Sequence, residues 1–251
     1  MKIVCVIPAR YQSTRFPGKP LAEIEGKPMI WWVYNQCKKV DFFDDIYVAT
    51  DSVVIQKSCQ KLGINCVLTS DKHLTGTDRV GEVAQKLSAD LFVNVQGDEP
   101  LIAPEMISAC VEPFFKNSEL QITNLMAKIN DPVDIVNPTI PKVITNKDGF
   151  GIYLTRATAP FPKGCLTYSY YKQVCVYCYR PKALEFFYEY GKKYGKSKNE
   201  EIEDVEILRF IENGYKVLFV EVESNSLAVD TKNDLERVRQ IFKERNHNFK
   251  G

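Results

Sequence analysis

The feature that most constrains this chain is an alternation of short, continuously apolar runs with longer segments of helical spacing. "KIVCVI", "DIYVAT", "NCVLT" and "LFVNV" carry runs of consecutive apolar residues rather than apolar residues at every second position, and "KPMIWWVYNQCKK", "DSVVIQKSCQKL" and "TDRVGEVAQKLS" lie between them. A strand that is apolar on both faces needs cover on both faces, and alternating helices supply it. The first half of the chain therefore predicts an α/β fold on an open, mainly parallel, doubly wound sheet. The punctuation agrees: Pro8 ends the first run, Pro28 suits the first turn of a helix, and Gly63 stops the second helix.

After a helical stretch at 105–115 the rhythm changes. "LQITNLMAKI", "PKVITN", "GFGIYLTR" and "YYKQVCVYCYR" read as successive strands, with Asp148-Gly149 as a hairpin turn. They form a β-rich excursion at about 120–180. Helical patterns return in "PKALEFFYEYGKKY" and "EIEDVEILRFIENG", followed by the strand "YKVLFVEV" and a closing helix after Asp230. With 251 residues, 45% of them hydrophobic, the chain can bury one sizeable core, so 1–251 reads as a single domain.

Lys+Arg 33 against Asp+Glu 32 leaves a formal net charge of +1. No global field draws such a chain to nucleic acid or to an anionic membrane, so any anion site is local. The apolar run at 3–7 is too short for a signal-peptide core, and no stretch is long enough to span a bilayer, which points to a soluble, cytoplasmic protein. Most of the eight cysteines sit inside apolar periodic segments, as reduced, buried thiols do. Cys175 and Cys178, three apart on an expected strand, point to opposite faces and so do not form a metal or redox pair.

Chemistry concentrates in the loop after the first strand. "PARYQSTRFPGKP" sets Arg10, Arg15 and Lys19 among Ser13, Thr14 and Gly18, at the sheet edge where α/β folds bind ligands. The loop has neither the GxGxxG of a dinucleotide fold nor the GxxxxGK[ST] of a P-loop. Its guanidiniums, ammonium and backbone N–H groups suit a triphosphate; the alternative is a solvated basic loop. In "VNVQGDEP", Gln96, Gly97, Asp98 and Glu99 emerge at the same edge. Asp98 there suits Mg²⁺, which takes one or two carboxylates plus phosphate oxygens, or else caps the next helix. Asp230 in "LAVDT" either shares that metal or caps the last helix with Thr231 and Asp234. His247 sits in a polar tail, as a solvated histidine does, and His73 precedes "LTGTDR".

Taken in order, "IPARYQSTRFPGKPL", "VATD", "TGTDRVGE", "VNVQGDEP", "NPTIPKV", "LTRATAPF", "VYCYR" and "VDTKNDLERV" resemble the 3-deoxy-manno-octulosonate cytidylyltransferases over nearly the whole chain. The resemblance implies a nucleotide-diphospho-sugar transferase-like fold. It also implies transfer of CMP from CTP to a 2-keto sugar acid, with release of pyrophosphate, in lipopolysaccharide or capsule synthesis. It carries nucleotide binding onto Arg10, Ser13, Arg15, Lys19, Arg79 and Gln96, and Mg²⁺ onto Asp98 and Asp230. Arg10, Lys19, Asp98 and Asp230 become the catalytic set, and Lys142, Arg156, Gln173, Tyr177, Glu206 and Ile207 the acceptor contacts. A homodimer built with the β-rich excursion is implied as well.

The chain departs from the family pattern in the acceptor half. Gln173 stands where a histidine is usual, Ile207 where a glutamine is usual, and Ala228 where a glycine is usual. A pocket that exchanges a hydrogen-bonding side chain for an apolar one discriminates strongly between substrates. The acceptor is thus expected to be 3-deoxy-manno-octulosonate, another acidic sugar, or a phosphorylated small molecule giving a CDP-product. A non-catalytic nucleotide-binding homologue is the rival reading, and retention of Asp98 and Asp230 argues against it. A dehydrogenase is excluded by the missing glycine fingerprint.

Overall fold

The computed structural model describes residues 1–12, 16–164, 167–224 and 226–248. Strand β1 (Ile3–Ala9) is buried at every residue: Ile3, Cys5, Ile7 and Ala9 pack into one apolar cluster, and Val4 and Val6 into another. The short strands β2 (Glu23–Ile24) and β3 (Lys27–Pro28) lead into α1 (Met29–Cys37), with Pro28 one place earlier than expected, as its N-cap. Then come β4 (Asp45–Thr50), α2 (Val53–Lys61), β5 (Cys66–Leu68), α3 (Gly76–Lys86), β6 (Leu91–Val95) and α4 (Pro104–Lys116). The β-rich part contains β7 (Ile122–Lys128), the short α5 (Pro132–Val136), β8 (Lys142–Thr145), β9 (Gly151–Thr155) and β10 (Tyr171–Tyr179). The chain closes through α6 (Pro181–Tyr194), α7 (Lys198–Glu203), α8 (Leu208–Glu212), β11 (Val217–Glu221) and α9 (Lys232–Asn248).

The sheet runs β11-β7-β10-β6-β1-β4-β5 from edge to edge. β1 is parallel to β4 and β6, β4 to β5, and β11 to β7, while β10 is antiparallel to both of its neighbours. The sheet is therefore mainly parallel and doubly wound. Ile30 and Val33 of α1, Ile55 of α2 and Ile107 of α4 cover one face; Val80 and Val83 of α3 with Leu184 and Phe187 of α6 cover the other. Strand order reverses at β1, which opens a crevice at the carboxyl ends of β1 and β6. β8 and β9 form the expected hairpin, with Gly149 at φ 82° in the turn and β8 also paired to β10. Cys175 and Cys178 pack on opposite sides of β10, against the second and first clusters respectively.

One expected helix is two. "EIEDVEILRFIENG" breaks after α7 at Asp204, which adopts a left-handed φ of 49°, and α8 starts four residues later. The break is held by Arg209, whose side chain is fully buried. Its Nη1 meets Asp78 Oδ1 at 2.6 Å, its Nη2 and Nε meet the Glu200 carboxylate at 2.6 and 2.7 Å, and its plane lies 3.6 Å from the Phe187 ring centroid. Both carboxylates also cap helices, Asp78 in the capping box of Thr75 on α3 and Glu200 in that of Ser197 on α7. One guanidinium thus ties the starts of two helices together. Gly191 of α6 makes room, since a Cβ there would stand 2.5 Å from Asp78 Oδ1 and 2.6 Å from Arg209 Nη1. Removing one partner of a buried ion cluster leaves charge uncompensated. Arg209→Met is therefore expected to lower unfolding free energy in urea by about 3–5 kcal/mol, with Gly191→Ala destabilising in the same direction.

Candidate functional site

The loop after β1 folds back on itself. Gly18 N–H donates to Tyr11 O at 2.8 Å, and Gly18, at φ 71°, lies against the Tyr11 ring. A short 3-10 turn, Lys19–Leu21, follows and brings the Lys19 ammonium over the sheet edge. The next loop of the sheet comes equally close: a Cβ on Gly97 would stand 2.8 Å from Pro8 O, so only glycine lets the β6 loop pack on the end of β1. The result is Lys19 Nζ at 2.6 Å from Asp98 Oδ2 and 3.5 Å from Asp230 Oδ1.

Asp230 arrives from the far end of the sequence. Val229 N–H donates to Asp98 O at 2.9 Å, and Val229 packs in a third apolar cluster with Phe16, Met29, Leu101 and Leu235. The helix-cap role falls to its neighbour. Thr231 and Asp234 form the reciprocal cap of α9, with Thr231 N–H donating to Asp234 Oδ2 at 2.8 Å and Asp234 N–H to Thr231 Oγ1 at 3.2 Å. Glu99, next to Asp98, is buried and accepts from the Ser226 hydroxyl, which fastens the loop leading to Asp230. Burial pushes its carboxyl up to about 7.

These residues border a cleft of about 1120 Å³, lined among others by Arg10, Lys19, Arg79, Gln96, Asp98, Glu206 and Asp230. Pockets for one small ligand commonly measure roughly 300–1,000 Å³, so this cleft suits two substrates side by side. Arg10 is exposed at its rim. Arg79 is nearly buried, with its guanidinium against Thr69 at 2.5 Å and Asp51 at 3.5 Å; burial pulls its pKa down, and the Asp51 charge opposes that. The Gln96 amide donates to Glu206 Oε1 at 3.2 Å, and Thr77 N–H to Glu206 Oε2 at 3.0 Å. Burial raises the Glu206 pKa, and the Thr77 bond works against it. Ser13, Thr14 and Arg15 lie outside the described residues, as does the side chain of His247.

On the acceptor side the expectations divide. Gln173, Tyr177, Glu206 and Arg156 line the cleft; Lys142 and Ile207 do not. Ile207 is fully buried in the second apolar cluster, because the turn after Asp204 that sends Glu206 into the cleft sends the next residue into the core. Lys142 is also fully buried, and its ammonium donates to the carbonyls of Asn137, Ile140 and Arg156 at 2.8–2.9 Å. The Arg156 guanidinium binds the carbonyls of Glu203, Pro138, Thr139 and Asp204. Both cations therefore hold the loop at 137–141, which itself forms part of the cleft wall. Sequence reasoning missed Lys172, Lys196, Asp204 and Ser226 as lining residues. Lys196 pairs with Asp204 at 2.7 Å, a contact set by the left-handed turn that helical periodicity conceals.

Comparison with known proteins follows the same outline. A family model described as "Cytidylyltransferase" matches residues 4–222. A protein of Fusobacterium nucleatum named 3-deoxy-manno-octulosonate cytidylyltransferase is 40% identical, over 98% of this chain and 99% of its own length. A protein of the same name from Pelobacter propionicus is 41% identical over 97% of this chain and 98% of its own. Among solved structures, a CMP:2-keto-3-deoxy-manno-octonic acid synthetase complexed with CTP superposes with a TM-score of 0.90 at 34% identity, covering 98% of this chain and 100% of the other. A 4-diphosphocytidyl-2C-methyl-D-erythritol synthase from Anaerococcus prevotii shares the fold at a TM-score of 0.64 and 14% identity, over 96% and 98% of the two chains.

Behind His73, on one wall of the cleft, a carboxylate is held by three donors. His73 Nε2 lies 2.5 Å from Glu82 Oε2, which also accepts from Ser70 N–H at 2.8 Å, while Lys86 Nζ reaches Oε1 at 2.6 Å. Burial raises the Glu82 pKa, but these hydrogen bonds and the Lys86 charge outweigh it and hold the carboxyl at about 2, below its ordinary 4.5. A depressed carboxyl pKa adds stability that is present above the unfolded value and lost as pH falls through the folded one. Wild type is accordingly expected to lose about 1–2 kcal/mol through this group between pH 4.5 and 2. Glu82→Gln is expected to lack that part of the acid limb in urea midpoints measured against pH.

Proposed function

The chain belongs to the cytidylyltransferase family, and on that premise we propose that it transfers CMP from CTP to 3-deoxy-manno-octulosonate with release of pyrophosphate. The observation that carries the reading is the convergence of Lys19, Asp98 and Asp230 beside the β1 loop, at one end of a cleft with room for two substrates. The relatives' names and the CTP-bound structural neighbour support both substrates.

The hydroxyl on the anomeric carbon of the sugar attacks the α-phosphorus of CTP. An O–P bond forms there as the bond to the β-phosphate's bridging oxygen breaks; the electron pair leaves with pyrophosphate, and the hydroxyl's proton passes to solvent water. Such a reaction gains most from positioning and from charge compensation. Arg10 and Lys19 receive the phosphates, assisted in our reading by Ser13 and Arg15 of the same loop. All of them lining the cleft, Arg79 and Gln96 are in our reading nucleotide contacts and Gln173, Tyr177 and Glu206 acceptor contacts, with Gln96 and Glu206 touching where the two substrates would meet. Asp98 and Asp230 fit a magnesium ion, since two carboxylates converge on a single ammonium and Mg²⁺ asks for one or two carboxylates plus phosphate oxygens. Bound there, the ion supplies further positive charge against the triphosphate.

Gln173, in place of the usual histidine, favours a second reading in which the acceptor is another acidic sugar. The loss of glutamine at Ile207 does not bear on it, since that side chain lies in the core. Purified protein with CTP, Mg²⁺ and 3-deoxy-manno-octulosonate is expected to release pyrophosphate. Asp98→Asn, Asp230→Asn and Lys19→Met are each expected to lose at least about 100-fold in kcat. Release with a different acidic sugar alone selects the second reading; CTP binding without release from any acceptor leaves a nucleotide-binding protein.

The protein works as a homodimer in the cytoplasm, where CTP is available. The segment between β7 and β10 supports the pairing, because it leaves Val133, Val136, Ile152 and Phe161 exposed, the last at 80%. Sedimentation equilibrium is expected to give the mass of two chains for wild type and of one for Val136→Glu/Phe161→Glu.

A further inference from the structure

β10 carries a bulge where it passes between β6 and β7. Val174 stands opposite Leu125 and Tyr177 opposite Asn124, so Cys175 and Val176 are extra residues on the β10 side. A bulge takes carbonyls out of the ladder, and buried carbonyls need donors. Asn124, fully buried on β7, supplies both: its Nδ2 donates to Val174 O and Val176 O, each at 2.8 Å. Two carbonyls on Nδ2 leave only one orientation for the amide. Asn124 Oδ1 therefore faces Gln173 and accepts from its Nε2 at 2.8 Å.

We infer that Asn124 is a positioning residue for the acceptor wall: it props the β10 bulge and fixes the polarity of Gln173, so that Gln173 offers the cleft a side-chain carbonyl oxygen. The second contact of Gln173 Nε2, Tyr177 Oη at 3.4 Å, has the same sense. With both contacts on Nε2, Oε1 is the end left for a ligand, and Gln173 lines the cleft. The fitting ligand group is a donor, such as a hydroxyl of the acceptor.

The inference rests on the acceptor assignment above, and two measurements separate the two. In steady-state kinetics with 3-deoxy-manno-octulosonate, Asn124→Leu and Gln173→Leu are each expected to raise KM for the sugar by about 10-fold, the worth of one hydrogen bond. KM for CTP stays within about 2-fold, and the double variant is no worse than either single one. Equal rises in both KM values, unchanged sugar KM, or additive effects overturn the inference. Should the sugar not turn over at all, the acceptor reading falls, and amide hydrogen exchange without acceptor tests Asn124 alone. Exchange at residues 173–177 is expected to quicken by about 10-fold in Asn124→Leu; an unchanged rate overturns the inference. Asn124→Thr, with a single hydroxyl donor, replaces Asn124→Leu in both measurements if the latter does not fold.

Discussion

The buried Arg209 cluster fixes the geometry on which the cleft depends. Its guanidinium joins Asp78, at the start of α3, to Glu200, at the start of α7, across 131 and 9 residues of sequence respectively. The α3 start contributes Thr75 and Gly76 to the cleft, and the turn after α7 contributes Asp204 and Glu206. Such clusters add little net stability when compared with apolar packing, because desolvating the charges is costly. What this one adds is placement. Burial lowers the pKa of the Arg209 guanidinium, the two carboxylates raise it by more, and the shift ends upward, so the guanidinium stays charged.

The opposite wall is organised by close approach. Gly97 lets the β6 loop lie against the end of β1, and a backbone hydrogen bond from Val229 to Asp98 adds the segment that carries Asp230. Two carboxylates therefore share one lysine ammonium at a point of the sheet edge where the fold naturally opens. With a net charge near zero the chain sets up no long-range field, so attraction for an anion in the cleft has to come from local cations such as Arg10, Lys19 and Arg79.

Much of this was legible in the sequence, and the parts that were not share a cause. Strand runs such as "KIVCVI" and "LFVNV" declare themselves because burial on both faces leaves few polar positions, Asn94 being one of them. Lys19, Asp98 and Asp230 were readable because each stands just beyond such a run or at a helix start. Local periodicity does not tell which distant partner claims a side chain. Glu203 to Arg209 reads as part of one continuous helix until Arg209 is drawn to Asp78 and the chain turns left-handed at Asp204, which commits Ile207 to the core. Lys142 looked like a ligand for an anion, yet three carbonyls of its own neighbourhood take its ammonium. Asn124 gave no signal at all, since only the bulge on another strand makes its amide useful.

The antiparallel position of β10 also bears on how the chain is made. β6 and β7 are consecutive in sequence yet never pair, because β10 lies between them. During synthesis both strands emerge well before the one that joins them. Until Tyr179 has left the ribosome, β6 and β7 each present a bare row of backbone donors and acceptors, the kind of edge that recruits foreign strands. Pairing over so long a separation is slow to form. The late insertion of β10 therefore makes the nascent chain, more than the finished one, the form that most needs protection from aggregation.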